Sequence, residues 1–245
     1  MQSEKSEILS PVATILILAR SGSLSIENKN LACGPGVGGM SLVERAIRTA
    51  VDSLGQVRGG MAFENACVYS DDPDTLDLAR TLGATAVPRP KDLCGAEQSS
   101  EEVVQAFIRN RRTVGLLEPD PICLYQLTSP FVTVDDLLRT LDVYQEERYD
   151  SAVTASKFFR FLGLGGTTNV WEQMWPKGRP RRQEMASVWQ ETGMLYLAPS
   201  SAWMKGSRFG ESPGIVKISD PNRCIEVDEL NDLLAAQALS AAYDI

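Results

Sequence analysis

Histidine is absent from the 245-residue sequence. Its absence excludes Ser-His and Cys-His nucleophile pairs, a histidine general base and His-ligated zinc. Chemistry here must run on carboxylates, arginine, lysine, hydroxyls, amides or a bound ion. Basic residues are also scarce: 24 Lys and Arg face 32 Asp and Glu, and a net charge of -8 argues against a protein that neutralises a nucleic-acid backbone. The five cysteines, Cys33, Cys67, Cys94, Cys123 and Cys224, form no C-x-x-C pair and are odd in number, which fits reduced thiols of a cytoplasmic protein better than a disulfide framework. Long apolar runs are missing too. The longest, Pro11 to Ala19, is too short to span a bilayer, and Arg20 follows it rather than a small-residue cleavage site. The expectation is a soluble intracellular protein with a short polar N-terminal tail and neither membrane nor nucleic acid as partner.

The length and a 43% hydrophobic content suffice for one large domain, taken as residues 1–245. Val12 to Ala19 is nearly continuous apolar and rich in branched residues, the pattern of a central strand buried on both faces. Apolar residues with helical spacing follow from Ser41 to Leu54. The alternation then repeats. A strand at Ala66 to Ser70 precedes a helix with Asp72 as cap, Pro73 in its first turn and Gly83 at its end. Thr85 to Val87 reads as a strand, Ser99 to Glu102 as a capping box before a helix, Ile122 to Leu127 as a strand, Thr133 as a helix cap and Ser151 to Ala155 as a strand. Residues 157–190 break the pattern as a Gly-, Trp- and Pro-rich excursion with a basic cluster, Lys177 to Arg182. Strands at Met194 to Ala198 and Ile215 to Ile218 and a helix from about Glu229 to Tyr243 complete the series. Such alternation predicts an α/β fold with a doubly wound, mostly parallel sheet, which takes ligands beyond the carboxyl ends of its strands.

Two segments could carry chemistry at that edge. Gly34 to Gly39 spells G-x-G-x-x-G, but it lies well downstream of the first strand, and Met40 stands where a Walker loop needs lysine; it reads as a glycine turn entering a helix. The turn from Ala19 to Asn30 is more informative. Ser21, Gly22 and Ser23 can aim backbone N–H groups at an anion while Arg20 and Lys29 add charge, although alone the same residues also fit a solvated loop. Farther on, Glu226 and Asp228 alternate with Val227, so on an extended segment both carboxylates face one way, spaced for a hard divalent cation. Asp228 could equally be a helix cap and Glu226 a solvated residue.

Several stretches in order resemble the cytidylyltransferases that make CMP-sialic acid and related CMP-nonulosonates. They are Ala19-Arg-Ser-Gly-Ser23 with Ile26 and Lys29-Asn30, Val68-Tyr-Ser-Asp-Asp72, Arg89-Pro-Lys-Asp-Leu93 with Ser99-Ser100, Leu124-Tyr-Gln-Leu-Thr-Ser-Pro130, Arg181-Arg-Gln183, Glu191-Thr-Gly-Met-Leu-Tyr196 and Ile225-Glu-Val-Asp228. The resemblance implies a Rossmann-like nucleotidyltransferase fold and transfer of CMP from CTP to a nonulosonic acid. It assigns Arg20 and Lys29 to the phosphates, and Ser21, Gly22, Ser23, Asn30, Arg89 and Ser100 to the nucleotide. Gln126, Arg182, Gln183 and Tyr196 fall to the sugar acid, and Glu226 and Asp228 to Mg2+. It further implies a homodimer built through the excursion. Read singly, Arg89 also fits a surface charge before proline, Gln126 a capping polar group and Tyr196 a core aromatic.

The sequence departs from the family at Leu24, where the first motif has a further lysine for the triphosphate, and at Gly39-Met-Ser-Leu42, where the family has Gly-Lys-Pro-Leu. Losing one charge-assisted contact costs on the order of 1.5 to 3 kcal/mol of binding. Two other readings therefore stay open: a relative acting on 3-deoxy-octulosonate or a sugar phosphate, which Gln126-Leu-Thr-Ser-Pro130 disfavours, and a non-catalytic nucleotide-binding protein.

Overall fold

A computed structural model describes residues 11–22, 25–31, 34, 36–111, 120–158, 163–165, 171–173, 181 and 188–243. In chain order, β1 (Val12–Ala19) is followed by a hairpin, β2 (Gly36–Val37) and β3 (Met40–Ser41), and by α1 (Leu42–Asp52). Then come β4 (Ala62–Ser70), α2 (Pro73–Thr81), β5 (Thr85–Pro88), α3 (Ser100–Asn110), β6 (Ile122–Tyr125), α4 (Val134–Tyr144) and β7 (Ser151–Phe158). The short pair β8 (Gly163–Gly165) and β9 (Trp171–Gln173) falls within the excursion, and β10 (Val188–Ala198), α5 (Ser200–Met204), β11 (Pro213–Ile218) and α6 (Leu230–Tyr243) complete the chain.

The helix starts follow the side chains that satisfy their first N–H groups. Ser41 accepts from the Glu44 amide of α1 at 3.2 Å, and Asp72 from the Thr75 amide of α2 at 2.8 Å. Ser99 with Glu102, and Thr133 with Asp136, form reciprocal capping boxes on α3 and α4. Gly83, at φ +88°, takes the chain out of α2.

The seven-stranded sheet runs β11-β7-β10-β6-β1-β4-β5. Every pairing is parallel except those of β10, which runs antiparallel to both β6 and β7. Apolar spacing cannot report direction, and the sequence placed only Met194 to Ala198 in this strand. The observed strand starts at Val188, and its first half escaped the apolar pattern because polar residues and Gly193 interrupt it there. Residues of α1, α2 and α4 pack on one face of the sheet, those of α3 and α5 on the other, and α6 covers the β2–β3 hairpin together with Phe131 and Val227. The glycine segment is thus a hairpin, with Gly38 and Gly39 at positive φ in its turn, and not a phosphate loop.

Register fixes which residues share the functional edge. Ala19 pairs with Ser70, Ser70 with Pro88, and Ile17 with Tyr125, so β1, β4, β5 and β6 end together. Because β10 is antiparallel and Leu195 faces Tyr125, the residues before Leu195 lie at this edge as well. There the pairing with β7 shifts register between Glu191 and Tyr196, around Gly193 at φ +69°. The buried Thr154 hydroxyl takes up the displaced groups, accepting from the Leu195 amide at 3.0 Å and from the Thr192 hydroxyl at 2.8 Å. Irregular strands of this kind re-aim side chains beside functional sites.

Candidate active site

Beyond the ends of β1, β4 and β5, polar groups are tied to one another. Arg20 leaves β1 and donates from Nη1 to the Cys94 carbonyl at 3.2 Å and the Gly95 carbonyl at 3.4 Å. Ser21 donates its amide to Asp71 Oδ1 at 2.8 Å and its hydroxyl to Asp71 Oδ2. Burial pushes Asp71 upward, but the Ser21 hydroxyl and amide outweigh it and hold the carboxyl below its ordinary value. The anion that the Ser21 N–H meets is thus the protein's own Asp71, the residue next after β4. Gly22 makes the turn at φ +79°; Ser23 and Leu24 lie outside the described residues.

Arg89, directly after β5, is 6% exposed. Its amide donates to the Ser70 carbonyl at 2.8 Å and its Nη2 to the Leu93 carbonyl, while its buried Nε has no partner. Burial lowers its pKa, with Cys94 and Asp71 opposing that shift. A desolvated guanidinium N–H aimed at nothing is costly unless a ligand completes it. Ser100 is the first residue of α3, held by the Ser99–Glu102 box. Ser21, Asp71, Lys91, Cys94 and Gly95 line a cleft between these turns.

The second half of the edge joins the far end of the β1 turn to the acidic segment. Lys29, 6% exposed, donates from Nζ to the Val227 carbonyl at 2.8 Å and pairs with Asp228 Oδ1 at 3.2 Å. The Ser25 hydroxyl donates to the Asp228 carbonyl, and the Val227 amide donates to the Thr128 carbonyl at 2.7 Å. Val227 is fully buried while Glu226 and Asp228 are exposed on either side of it. The alternation expected from the sequence is therefore present, although the segment follows a 3-10 turn at Pro221–Cys224 and is no strand. The Glu226 carboxylate lies against the Gly193 backbone, where a Cβ would overlap it. Partial desolvation of the carboxylate end against Gly193, then the carboxylates of Asp228 and Glu191, raise Glu226, and the Arg208 guanidinium opposes them.

Gln126 sits just past β6 with its amide on the Met194 carbonyl at 3.1 Å, and the buried Asn30 Oδ1 and Ser129 Oγ have no partner. Tyr196 is 1% exposed, its ring edge-on to Phe209 and under Arg208, so the aromatic is a core residue whose polar end faces the acidic half. Arg182 and Gln183 lie outside the described residues.

Three residues that sequence reasoning did not single out occupy joints of this arrangement: Asp71, Gly193 and Arg208. Asp71 and Gly193 stand in quoted motifs and directly flank expected strands, a usable signal. Arg208 has none, since it follows α5 in no recognisable pattern. Among the described residues, no group of three or more His, Cys, Asp or Glu forms a metal cage. Glu226 and Asp228 offer only hard carboxylate oxygens, a donor chemistry that would suit Mg2+ if phosphates and water completed its coordination.

The layered sheet with its polar strand-end cleft places the chain in the class of α/β nucleotidyltransferase folds. Two solved structures share it. CMP:2-keto-3-deoxy-manno-octonic acid synthetase complexed with CTP matches with a TM-score of 0.65 at 16% identity, over 96% of this chain and 100% of that one. 4-Diphosphocytidyl-2C-methyl-D-erythritol synthase from Anaerococcus prevotii matches with 0.65 at 13% identity, over 95% and 96%. Residues 14–162 match the cytidylyltransferase family model, and the chain belongs to that family. N-acylneuraminate cytidylyltransferases A and B of Danio rerio are 29% and 30% identical to it over 188 and 200 residues, which is 75% and 78% of this chain. The corresponding protein of Oncorhynchus mykiss is 29% identical over 201 residues, 80% of this chain. The chain spans about two fifths of the length of these curated relatives, 40% to 43%. No helix among the described residues is long and apolar enough to cross a membrane.

Proposed function

We propose that the chain transfers CMP from CTP to the anomeric hydroxyl of a sialic-acid-like nonulosonic acid. The hydroxyl oxygen bonds to the α-phosphorus and gives up its proton to water, the bond from that phosphorus to the bridging oxygen breaks, and pyrophosphate leaves with the electron pair. Such a displacement depends on positioning and charge neutralisation more than on a nucleophilic side chain, so a chain without histidine loses nothing by it. The observation that carries the reading is the Lys29–Asp228 pair, which joins the turn leaving β1 to the acidic segment at the edge where Arg89 and Asn30 present unpartnered buried groups.

Arg89, Asn30 and Ser100 would bind the nucleotide, and Arg20 and Lys29 would face its phosphates. Arg20 can turn to them by exchanging the Cys94 and Gly95 carbonyls for phosphate oxygens. Gln126 would orient the acid, with Arg182 and Gln183 assigned there by the family motif. Glu226 and Asp228 would hold Mg2+, which when bound neutralises the triphosphate and steadies departing pyrophosphate. Assembly as a cytoplasmic homodimer through residues 157–190 belongs to the same reading and predicts twice the monomer mass in light scattering.

Curated relatives named for N-acylneuraminate support the nonulosonic acid over the octulosonate named in a structural neighbour. Incubation with CTP, Mg2+ and a panel of nonulosonic acids plus 3-deoxy-octulosonate tests it. Pyrophosphate release with a nonulosonic acid is expected. Release with octulosonate alone, or calorimetric CTP binding without turnover, would replace this reading by one of its alternatives.

A further inference from the structure

Outside the motifs, Arg208 ties two elements of this edge together. Its Nε and Nη2 both reach Glu101 Oε1, at 2.7 and 2.6 Å, and its guanidinium lies 4.5 Å from the Tyr196 ring centroid. Glu101 adjoins Ser100 in the first turn of α3, while Tyr196 belongs to β10, three residues beyond the Gly193 on which the Glu226 carboxylate rests. One guanidinium therefore spans the nucleotide half of the site and the acidic half. A planar guanidinium that sets two N–H groups on one carboxylate oxygen and stacks on a ring fixes orientation in a way a lysine cannot.

We propose that Arg208 is a positioning residue for the acid-binding half of the site, holding Tyr196 and the β10 wall behind Glu226 in register with the first turn of α3. This rests on the function proposed above. The nucleotide half has supports of its own, since α3 keeps its capping box and its buried Val103, Val104 and Phe107 when Arg208 is gone. Loss of Arg208 should therefore act on the sugar acid and spare CTP.

The full chain carrying Arg208→Met, Arg208→Lys or Glu101→Gln is compared with wild type for pyrophosphate release using CTP and N-acetylneuraminate, for CTP affinity by calorimetry and for melting temperature. Arg208→Met is expected to raise KM for the acid about tenfold while leaving CTP affinity within about twofold. Arg208→Lys should recover part of the loss, and Glu101→Gln should shift KM for the acid in the same direction by less. An unchanged KM for the acid would overturn the proposal. So would equal losses in acid KM and CTP affinity accompanied by a lower melting temperature, the mark of a merely structural residue. If wild type itself releases no pyrophosphate with any nonulosonic acid, the functional reading fails and carries this proposal with it; an active wild type with an indifferent Arg208→Met refutes Arg208 alone.

Discussion

Where β1, β4 and β5 end, nearly every polar group already has a protein partner: Ser21 is spent on Asp71, and Arg20 on two carbonyls. Across the edge, where β6, β10 and residues 225–229 meet, the main chain is stitched but the carboxylates stand open. Asp228 keeps a side chain 67% exposed while its Lys29 partner is buried. The first half is a polar frame with an unfilled position at Arg89 Nε. The second is a cluster of charge in which Glu226, Asp228 and Glu191 lie near one another with Lys29 and Arg208 as their cationic neighbours. A frame suits recognition of a fixed, flat group, and a charge cluster suits an ion and a shifting phosphate.

Substitutions can pull the two halves apart. The largest effect is expected from Gly193→Ala, whose Cβ would overlap the Glu226 carboxylate at a φ of +69°. Turnover should fall by at least about a thousandfold and stability by about 1–3 kcal/mol, read by initial rates and denaturant unfolding. Asp228→Asn should lower turnover by about two to three orders of magnitude, with a steeper Mg2+ requirement and little change in Mg2+-free CTP binding. Equal loss of both would merge the halves.

Arg89→Met should act in the opposite sense on its two readouts. CTP affinity drops by about tenfold or more while the melting temperature holds or rises, because a desolvated guanidinium with an unsatisfied N–H is removed. Asp71→Asn sharpens the frame side through pH. The Asp71 carboxyl is held below its ordinary value, so its contribution to stability is present above the unfolded-state pKa and is lost as pH falls through the lower folded one. Between about pH 5 and 2, the variant should lose less stability than wild type. The smallest change is expected from Leu24→Lys, which restores the family lysine and should tighten CTP binding by about tenfold, the low end of what one charge-assisted contact is worth.

Much of the frame was legible in the sequence because it depends on local signals. Val12–Ala19, the Asp72-Pro73 start of α2 and the Ser99–Glu102 box appear where the residues place them, since caps and apolar runs act over a few positions. The capping role of Thr133 was likewise readable, but that its partner Asp136 is buried and joined to Arg223 was not. The glycine segment shows the limit from the other side: its spelling fits a phosphate loop, and only the pairing of Gly36 with Ser41 makes it a hairpin. The direction of β10 and the Arg208 contacts depend on residues about a hundred positions apart, such as Glu101 and Arg208, and no local pattern encodes such a meeting. The Ser21–Asp71 bolt belongs with these, because two strand ends must first lie side by side.

Val227 is held through its amide by Thr128, through its carbonyl by Lys29 and through its side chain by the α6 cluster. None of these ties uses the side chains of its two neighbours. The main chain at Val227 thus keeps its course by ties of its own, while the acids on either side of it are seated separately, Asp228 on the shared Lys29 ammonium and Glu226 on the Gly193 backbone.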